Sequence, residues 1–376
     1  MKVTFPHMGH LHVPLRSFFA ALGVETVVPP PIGRETLALG TRYAPEFACL
    51  PLKVNVGNFL QAARMGADTV VMAGGVGPCR FGYYAQVERE ILRDLGVKLD
   101  MVVLEPPQGH WRELWLGLRA ITGGADLKAI WRAGKLAWRK LTALDELERE
   151  LHRVRAREAT PGASTEAWRK IVDRLDRAEA VSEVEEVARQ GKALLAAIPR
   201  REDDDVLRVG LVGEIYTLLE PAVNLEVERV LGEMGVEVER SIYLSDWVKT
   251  NLVFHSLHLR DDREEYRLAA PYLGHFVGGH GLESISFTIR YARAGLDGVI
   301  QLAPLTCMPE IVAESILPKV SRDVGIPVLT FMLDEHASEV GMRTRLEAFC
   351  DLLRERRRRK ERFLVGARDA AADLRE

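Results

Sequence analysis

The chain has 376 residues, 47% of them hydrophobic and 28% charged, with 51 basic against 54 acidic side chains and a net charge of −3. Such a length suits two or three domains of roughly 100–200 residues each, with a sizeable core. The balanced charge excludes the broad basic footprint of a nucleic-acid binder. No apolar run reaches the roughly 18 residues needed to span a bilayer, and histidines and prolines between Met1 and Leu15 interrupt the apolar stretch of a signal peptide. Four cysteines in so long a chain are no disulfide framework. The expectation is a cytoplasmic protein in a reducing compartment, without membrane or nucleic-acid partners, whose cysteines serve some other purpose.

In chain order, a short strand from Lys2 leads to a helix over Leu15–Leu22, closed by Gly23, and a strand over Glu25–Val28. Pro29, Pro30 and Pro31 open a loop that runs to Cys49, within Phe47-Ala-Cys-Leu-Pro-Leu-Lys53. Asn55–Met65 has helical spacing, and Thr69–Ala73 is the continuous apolar run of a buried parallel strand. The glycine-rich loop Gly74-Gly-Val-Gly-Pro-Cys79 follows, then a helix over Tyr83–Leu95 and a strand over Met101–Leu104. Residues 108–201 read as helical, with a loop at Ala159–Ser164. Trp111, Trp115, Trp131, Trp138 and Trp168 lie there and are expected to pack the core of this insertion. The alternation then resumes: strand Val206–Val212, helix Pro221–Met234, strand Val236–Val238, helix Ser284–Ala294, strand Asp297–Leu302, helix Pro309–Val324, strand Pro327–Met332 and a C-terminal helix. The pattern predicts an α/β fold with mainly parallel sheets. Its parts are an N-terminal α/β domain (1–107), a helical insertion (108–205), a second α/β domain (206–335) and a C-terminal helix (336–376).

An internal repeat relates the two α/β halves. Ala63-Arg-Met-Gly-Ala-Asp68 matches Ala292-Arg-Ala-Gly-Leu-Asp297, and at the same offset Val70–Ala73 matches Val299–Leu302. Leu95-Gly-Val97 matches Val324-Gly-Ile326, and Leu104-Glu105 matches Leu333-Asp334. Cys79 and Cys307 fall between these anchors, one loop being a residue shorter. Both cysteines therefore follow a strand at its carboxyl end, where open parallel sheets bind ligands. Each also meets the N-terminus of the next helix, whose dipole favours the thiolate; Pro309 supports that placement for Cys307. Cys49, in the loop entering the first half, can reach the same region.

Cys49, Cys79 and Cys307 form no CxxC pair, so a zinc ribbon and a ferredoxin run are excluded. Each lies in a glycine- or proline-rich loop, although a lone cysteine is often just a small buried hydrophobe. Cys350, at helical spacing in Leu346-Glu-Ala-Phe-Cys-Asp-Leu-Leu353, reads as core packing. Three loop thiolates from both halves suit a soft metal site.

These residues carry a resemblance. Cys49-Leu-Pro-Leu-Lys53, Gly77-Pro-Cys-Arg-Phe-Gly-Tyr83, Thr306-Cys-Met-Pro-Glu310 and the C-terminal Asp334-Glu-His336 with Arg343-Thr-Arg-Leu-Glu-Ala-Phe349 resemble the family related to 2-hydroxyglutaryl-CoA dehydratase subunits and activase-associated proteins of anaerobes. The resemblance implies two Rossmann-like domains with an iron–sulfur cluster between them, held by Cys49, Cys79 and Cys307. That cluster would be a 4Fe–4S centre, or a double-cubane cluster shared across a homodimer. An ATP-hydrolysing activase would inject a low-potential electron. Dehydratase relatives then remove water from a 2-hydroxyacyl-CoA through a ketyl radical, whereas the double-cubane branch reduces small molecules. Nothing in this sequence specifies a CoA site. The alternative is a non-catalytic zinc or iron–sulfur carrier or structural protein.

Other residues invite weaker readings. His280, in Val277-Gly-Gly-His-Gly-Leu-Glu-Ser284, falls opposite the Cys49 segment in the repeat. It is either a cluster neighbour or proton donor, or an ordinary loop histidine, with Glu283 in the first turn of a helix. Lys53, Arg80 and Glu310 adjoin the cysteines, either offsetting thiolate charge or lying solvated on the surface. His7, His10 and His12 have spacings that suit neither one helix face nor one strand face, which argues against a metal site. Gly74-Gly-Val-Gly77 lacks the third glycine of a dinucleotide fingerprint, since position 80 is Arg80, and no P-loop occurs. The charged run Arg354–Arg362 reads as a solvated helix face, or else as a dock for an acidic partner.

Overall fold

The computed structural model describes residues 1–75, 78–105, 111–201, 205–254 and 263–373. Val76 and Gly77 of the glycine-rich loop lie outside these, as does the expected first border of the insertion, at 107–108. In chain order the first half comprises β1 (Lys2–Thr4), α1 (His12–Ala20), β2 (Glu25–Thr26), α2 (Arg34–Tyr43), α3 (Leu50–Arg64), β3 (Thr69–Ala73), α4 (Tyr84–Asp94) and β4 (Asp100–Leu104). The insertion is α5 (Trp111–Ile121), α6 (Leu127–Arg155), α7 (Ala163–Arg177) and α8 (Val181–Ala196). The second half comprises β5 (Leu207–Gly213), α9 (Ile215–Leu219), α10 (Val227–Glu233), β6 (Val236–Arg240), α11 (Leu244–Val248), α12 (Arg263–Ala269), α13 (Gly281–Arg293), β7 (Gly298–Pro304), α14 (Met308–Val324) and β8 (Val328–Leu333). The C-terminal helix is α15 (Glu339–Asp373).

The strands form two four-stranded, all-parallel sheets of the same topology, β2-β1-β3-β4 and β6-β5-β7-β8. The fold is thus α/β, two Rossmann-like sheets in a pseudo-repeat with a helical middle section and a C-terminal helix. The ladders refine the repeat at its last strand. Leu104 pairs with Ala73, but the partner of the equivalent Leu302 is Phe331, two residues before the sequence match at Leu333. A two-residue difference preserves the pleat, so the same sheet faces stay buried.

The strands formed where apolar runs predicted them; the helices were less legible. α2 occupies a stretch read as loop, and α3 begins at Leu50 rather than Asn55, with Pro51 in its first turn. Every residue of α3 from Leu50 to Ala62 is buried, because the helix lies between the two halves. Leu50 and Val54 join the core of the second half, while Leu52, Val56, Phe59 and Leu60 join that of the first. Its polar residues therefore carried no amphipathic signal.

The insertion corrects one expectation. Among its tryptophans with described side chains, Trp168 alone is part of the buried core, whereas Trp131 and Trp138 are exposed by 65% and 37%. Trp115 is half-buried, and the Trp111 side chain lies outside the described residues. The packed stripe of α6 is aliphatic (Leu144, Leu147, Leu151 and Val154) and belongs to its C-terminal half, which also receives Val13 of α1. At the far end of α6, Arg240 of β6 bonds Glu148 and Glu228, with the Glu228 contact 3.0 Å long and the Glu148 contact shorter. The insertion thus grips both halves. Among the described residues no helix is long and apolar enough to cross a membrane.

Candidate functional site

In both sheets the strand order reverses between the first and third strands, so the crevice beyond their carboxyl ends is the expected ligand position. The two crevices face each other. Gly9, after β1, donates its N–H to Glu220 at 2.8 Å, and a Cβ on Gly9 would lie 2.6 Å from the Leu219 carbonyl oxygen. The loops after β3 and β7 meet at the same seam, and these are the loops of Cys79 and Cys307.

Each cysteine sits at a helix start. Cys49 is the N-cap of α3, Cys307 the N-cap of α14, and Cys79 the residue before a 3-10 turn over Arg80–Tyr83 that leads into α4. Three contacts interlock their loops. The Arg80 guanidinium donates to the Phe47 carbonyl at 3.2 Å and, more closely, to the Thr306 carbonyl. The Thr306 hydroxyl donates to the same Phe47 carbonyl at 3.1 Å. Thr306 holds φ at +67°, a left-handed conformation that a β-branched residue adopts only at a cost, and it directly precedes Cys307.

The loop containing His280 closes over this knot. A Cβ on Gly278 would stand 2.7 Å from the Cys79 backbone nitrogen, and one on Gly279 would stand 3.8 Å from the Cys79 sulfur and 3.0 Å from Pro309. Both glycines also have positive φ, +88° and +47°, so two independent constraints require glycine here. His280 is half-buried and is the N-cap residue of α13, on the opposite half from the Cys49 helix as the repeat implies.

The three sulfurs do not all lie within 4.8 Å of one another. They are not gathered as ligands of a single ion, which at metal–sulfur bonds of about 2.3 Å would have to be closer together. Two of them feel a neighbour electrostatically: Cys79 raises Cys49, and Cys49 raises Cys307. Three thiols are soft donors of the kind that polynuclear clusters use, and it is this donor type, not a gathered cage, that the described residues offer.

The helix starts act on the thiols as expected, with the backbone N–H groups of Phe81 and Glu310 favouring the thiolates of Cys79 and Cys307, but burial outweighs them. Burial pushes all three thiols up, Cys49 to about 11 and Cys307 further still. A helix dipole contributes roughly 0.3–1 kcal/mol, less than the cost of desolvating an anion in this seam. The Tyr84 hydroxyl, hydrogen-bonded to the Cys49 sulfur, works against burial but does not overcome it. Glu214 lies at the carboxyl end of β5 and raises all three thiols further. Its own carboxyl is raised by burial, against the N–H donors of Tyr216 at 3.0 Å and Thr217 at 2.9 Å.

Lys53 and Glu310 are not solvated. Lys53 is buried and pairs with Glu335 at 2.6 Å, tying α3 to the second half. Glu310 is fully buried, bonded to Ser284 and Gln301 at 2.9 Å each, and burial lifts its carboxyl to about 7. Arg80 has an exposed stem, but its guanidinium is committed to the two carbonyls. Cys350 belongs to the apolar core of the second half, as expected.

No family model matches this chain, and no curated protein matches it. The site therefore rests on its own geometry. His7, His10 and His12 cluster only loosely: the His12 ring centroid lies 6.3 Å from that of His7 and 6.1 Å from that of His10, His7 bonds the Pro29 and Pro30 carbonyls, and His10 accepts from Trp168. Among the described residues, Glu148, His152 and Glu228 alone have single-ion spacing, but the Arg240 guanidinium already bridges both acids, which makes the group an ion-pair network.

Several residues were missed in the sequence. Glu214 could have been found, since it follows a predicted strand at the end where ligands bind. Tyr84 and Glu88 share a helical face with Leu92, and a polar residue in that apolar stripe was a readable signal. The strain at Thr306 leaves no trace in sequence.

Proposed function

We propose that this chain is an iron–sulfur protein in which Cys49, Cys79 and Cys307 hold a cluster where the carboxyl ends of the two sheets meet. It accepts low-potential electrons one at a time from a donor, an ATP-hydrolysing activase by the family resemblance, and passes them to a small-molecule substrate. Bound there, such a cluster supplies one-electron transfer.

The observation that carries this reading is the interlock at Thr306. One strained residue is held by contacts from the Cys49 and Cys79 loops and itself precedes Cys307, and strain of this kind persists where the surroundings over-determine it. The thiols support the reading as well. Buried thiols held up by desolvation are poor nucleophiles, whereas thiolates balanced by bound cations fit the same seam. Arg80 adds a fixed positive charge beside the thiolates, and the glycine pair Gly278–Gly279 leaves room at the Cys79 sulfur.

Anaerobic purification tests the proposal, with iron and acid-labile sulfide analysis and EPR after reduction. About four iron and four sulfide per chain are expected, with a reduced-state EPR signal. A colourless protein holding one zinc and no sulfide would contradict it. Adding an activase and ATP, then assaying reoxidation by a 2-hydroxyacyl-CoA or by small reducible molecules, separates dehydration from reduction. Measuring the mass of the reduced and oxidised protein tests the homodimer that a shared double-cubane cluster needs.

A further inference from the structure

One buried acid is left unexplained by the cluster itself. Glu88 has no solvent exposure, and neither of its carboxylate oxygens has a hydrogen-bond partner of normal geometry. It lies in the middle of the inward stripe Tyr84, Glu88, Leu92 of α4, where an apolar residue would ordinarily sit. One helical turn before it, the Tyr84 hydroxyl touches the Cys49 sulfur.

The groups facing Glu88 are few. Asn55 of α3 is its polar neighbour, and the Asn55 side-chain oxygen is itself buried without a partner. From the second half comes Tyr216, fully desolvated with an unpartnered hydroxyl, and behind it Glu214 and Glu220. Lys53 on α3 is committed to Glu335 and Arg80 to backbone carbonyls. Arg89, next along α4, donates to the Met101 carbonyl of β4, and Asp100 at the start of β4 is exposed. Among the described residues Glu88 thus has no paired cation, and the Asn55 amide, which favours its charged form, does not offset burial.

We infer that Glu88 is the redox-linked proton acceptor of the cysteine-held centre, an inference that rests on the function proposed above. When the centre gains an electron, the added negative charge in this low-dielectric seam disfavours a second negative charge on Glu88. An ionised Glu88 then takes a proton from solvent. The electron comes from the one-electron donor, the proton from water, the carboxylate becomes a carboxylic acid, and no other bond forms or breaks. Burial already raises the Glu88 carboxyl to about 8, so the coupling is visible above that pH and absent well below it.

The test compares wild type with Glu88→Gln and, as a second variant suited to the apolar stripe, Glu88→Met. The midpoint potential of the anaerobically isolated, cluster-bearing protein is titrated with dithionite from pH 6.5 to 10. Wild type should be flat at the acid end and then fall by up to about 59 mV for each tenfold drop in proton concentration; both variants should stay flat throughout. Infrared spectroscopy supplies an independent readout. A protonated-carboxyl band at pH 7 should be present in wild type and missing from both variants, whether or not the centre is reduced. A pH-independent wild-type potential, or the same slope in the variants, overturns the proton coupling alone. A carboxyl band in a protein with no reducible centre overturns the function itself and the coupling with it, and absence of the band from both the oxidised and the reduced protein refutes the assignment.

Discussion

Arg80 is the residue on which the geometry of the site turns. Its guanidinium holds two carbonyls from two different cysteine loops, a fork that a lysine ammonium cannot reproduce. Arg80→Lys should therefore lose more than half of the bound iron and sulfide while leaving the fold intact, measured by metal analysis beside circular dichroism. Full iron content in Arg80→Lys would show that the loops hold together without the fork. Cys350 makes the opposite prediction. It is 1% exposed in an apolar core, so Cys350→Ser should keep the cluster but lower stability by about 1–3 kcal/mol for the buried hydroxyl, seen as a lower Tm. Glu88 brings a pH dependence of its own. Its folded carboxyl is raised to about 8 against an ordinary 4.5, so the folded chain binds the extra proton. Its contribution to stability is full below pH 4.5 and is lost as pH rises through 8. Relative to wild type, Glu88→Gln should gain on the order of a few kcal/mol at pH 9.5, read by chemical denaturation at pH 7 and pH 9.5.

Elements, rather than single residues, set where the sulfurs lie. The three cysteines begin three helical segments, and the loop before α13 presses on the backbone of Cys79. Gly278→Ala puts a methyl 2.7 Å from the Cys79 nitrogen and forces alanine into a φ of +88°. It should displace Cys79 and lower cluster content, while Gly66→Ala, which meets no neighbour at a similar φ of +94°, should cost stability alone. The C-terminal helix is also more than a solvated face. Arg356 donates to the Gly325 carbonyl at 2.6 Å, and Arg357 reaches the Val206 carbonyl at 3.1 Å and the Asp297 carboxylate. These arginines bind α15 to the second sheet, whereas Arg359 and Arg362 pair only with Glu355 of their own helix. Arg357→Ala should cost about 2 kcal/mol, since hydrogen bonds to charged groups are worth roughly 1.5–3 kcal/mol each, and hydrogen exchange should rise first in α15.

At the scale of the whole molecule, loops at the carboxyl ends of two similar sheets meet, and the insertion contacts both halves. The strands and the repeat were legible in the sequence because buried parallel strands are largely apolar runs, TVVMA and, broken only by Gln301, GVIQLAP among them. Cys350 was legible as core from its helical spacing, but burial does not set it apart, since Cys49 packs into the core of the first half and Cys307 is buried as well. What stayed hidden depends on contacts between distant segments. α3 is buried on all sides by two domains, Thr306 is strained by two other loops, and the tryptophans of α6 face solvent because aliphatic residues fill its packed stripe. The desolvation that outweighs the helix dipoles at the thiols is equally a product of assembly. Assembly also makes the insertion acid-sensitive. Burial opposes ionisation of Glu228, but Arg240 and His152 overcome it and hold its carboxyl down at about 2. Its stabilising contribution is full above pH 4.5 and is lost as pH falls through 2, so Glu228→Gln should loosen the insertion already at pH 7, with the difference from wild type shrinking as pH falls towards 2, followed by limited proteolysis.

The central claim, that Cys49, Cys79 and Cys307 together hold one iron–sulfur centre, is tested most directly by iron and acid-labile sulfide analysis with EPR on the anaerobically purified wild type and its four single Cys→Ser variants. The account predicts stoichiometric iron and sulfide in wild type and Cys350→Ser, and loss or alteration of both with a changed EPR signal in Cys49→Ser, Cys79→Ser and Cys307→Ser. Unchanged iron, sulfide and EPR in any of those three, or their loss in Cys350→Ser, would contradict it.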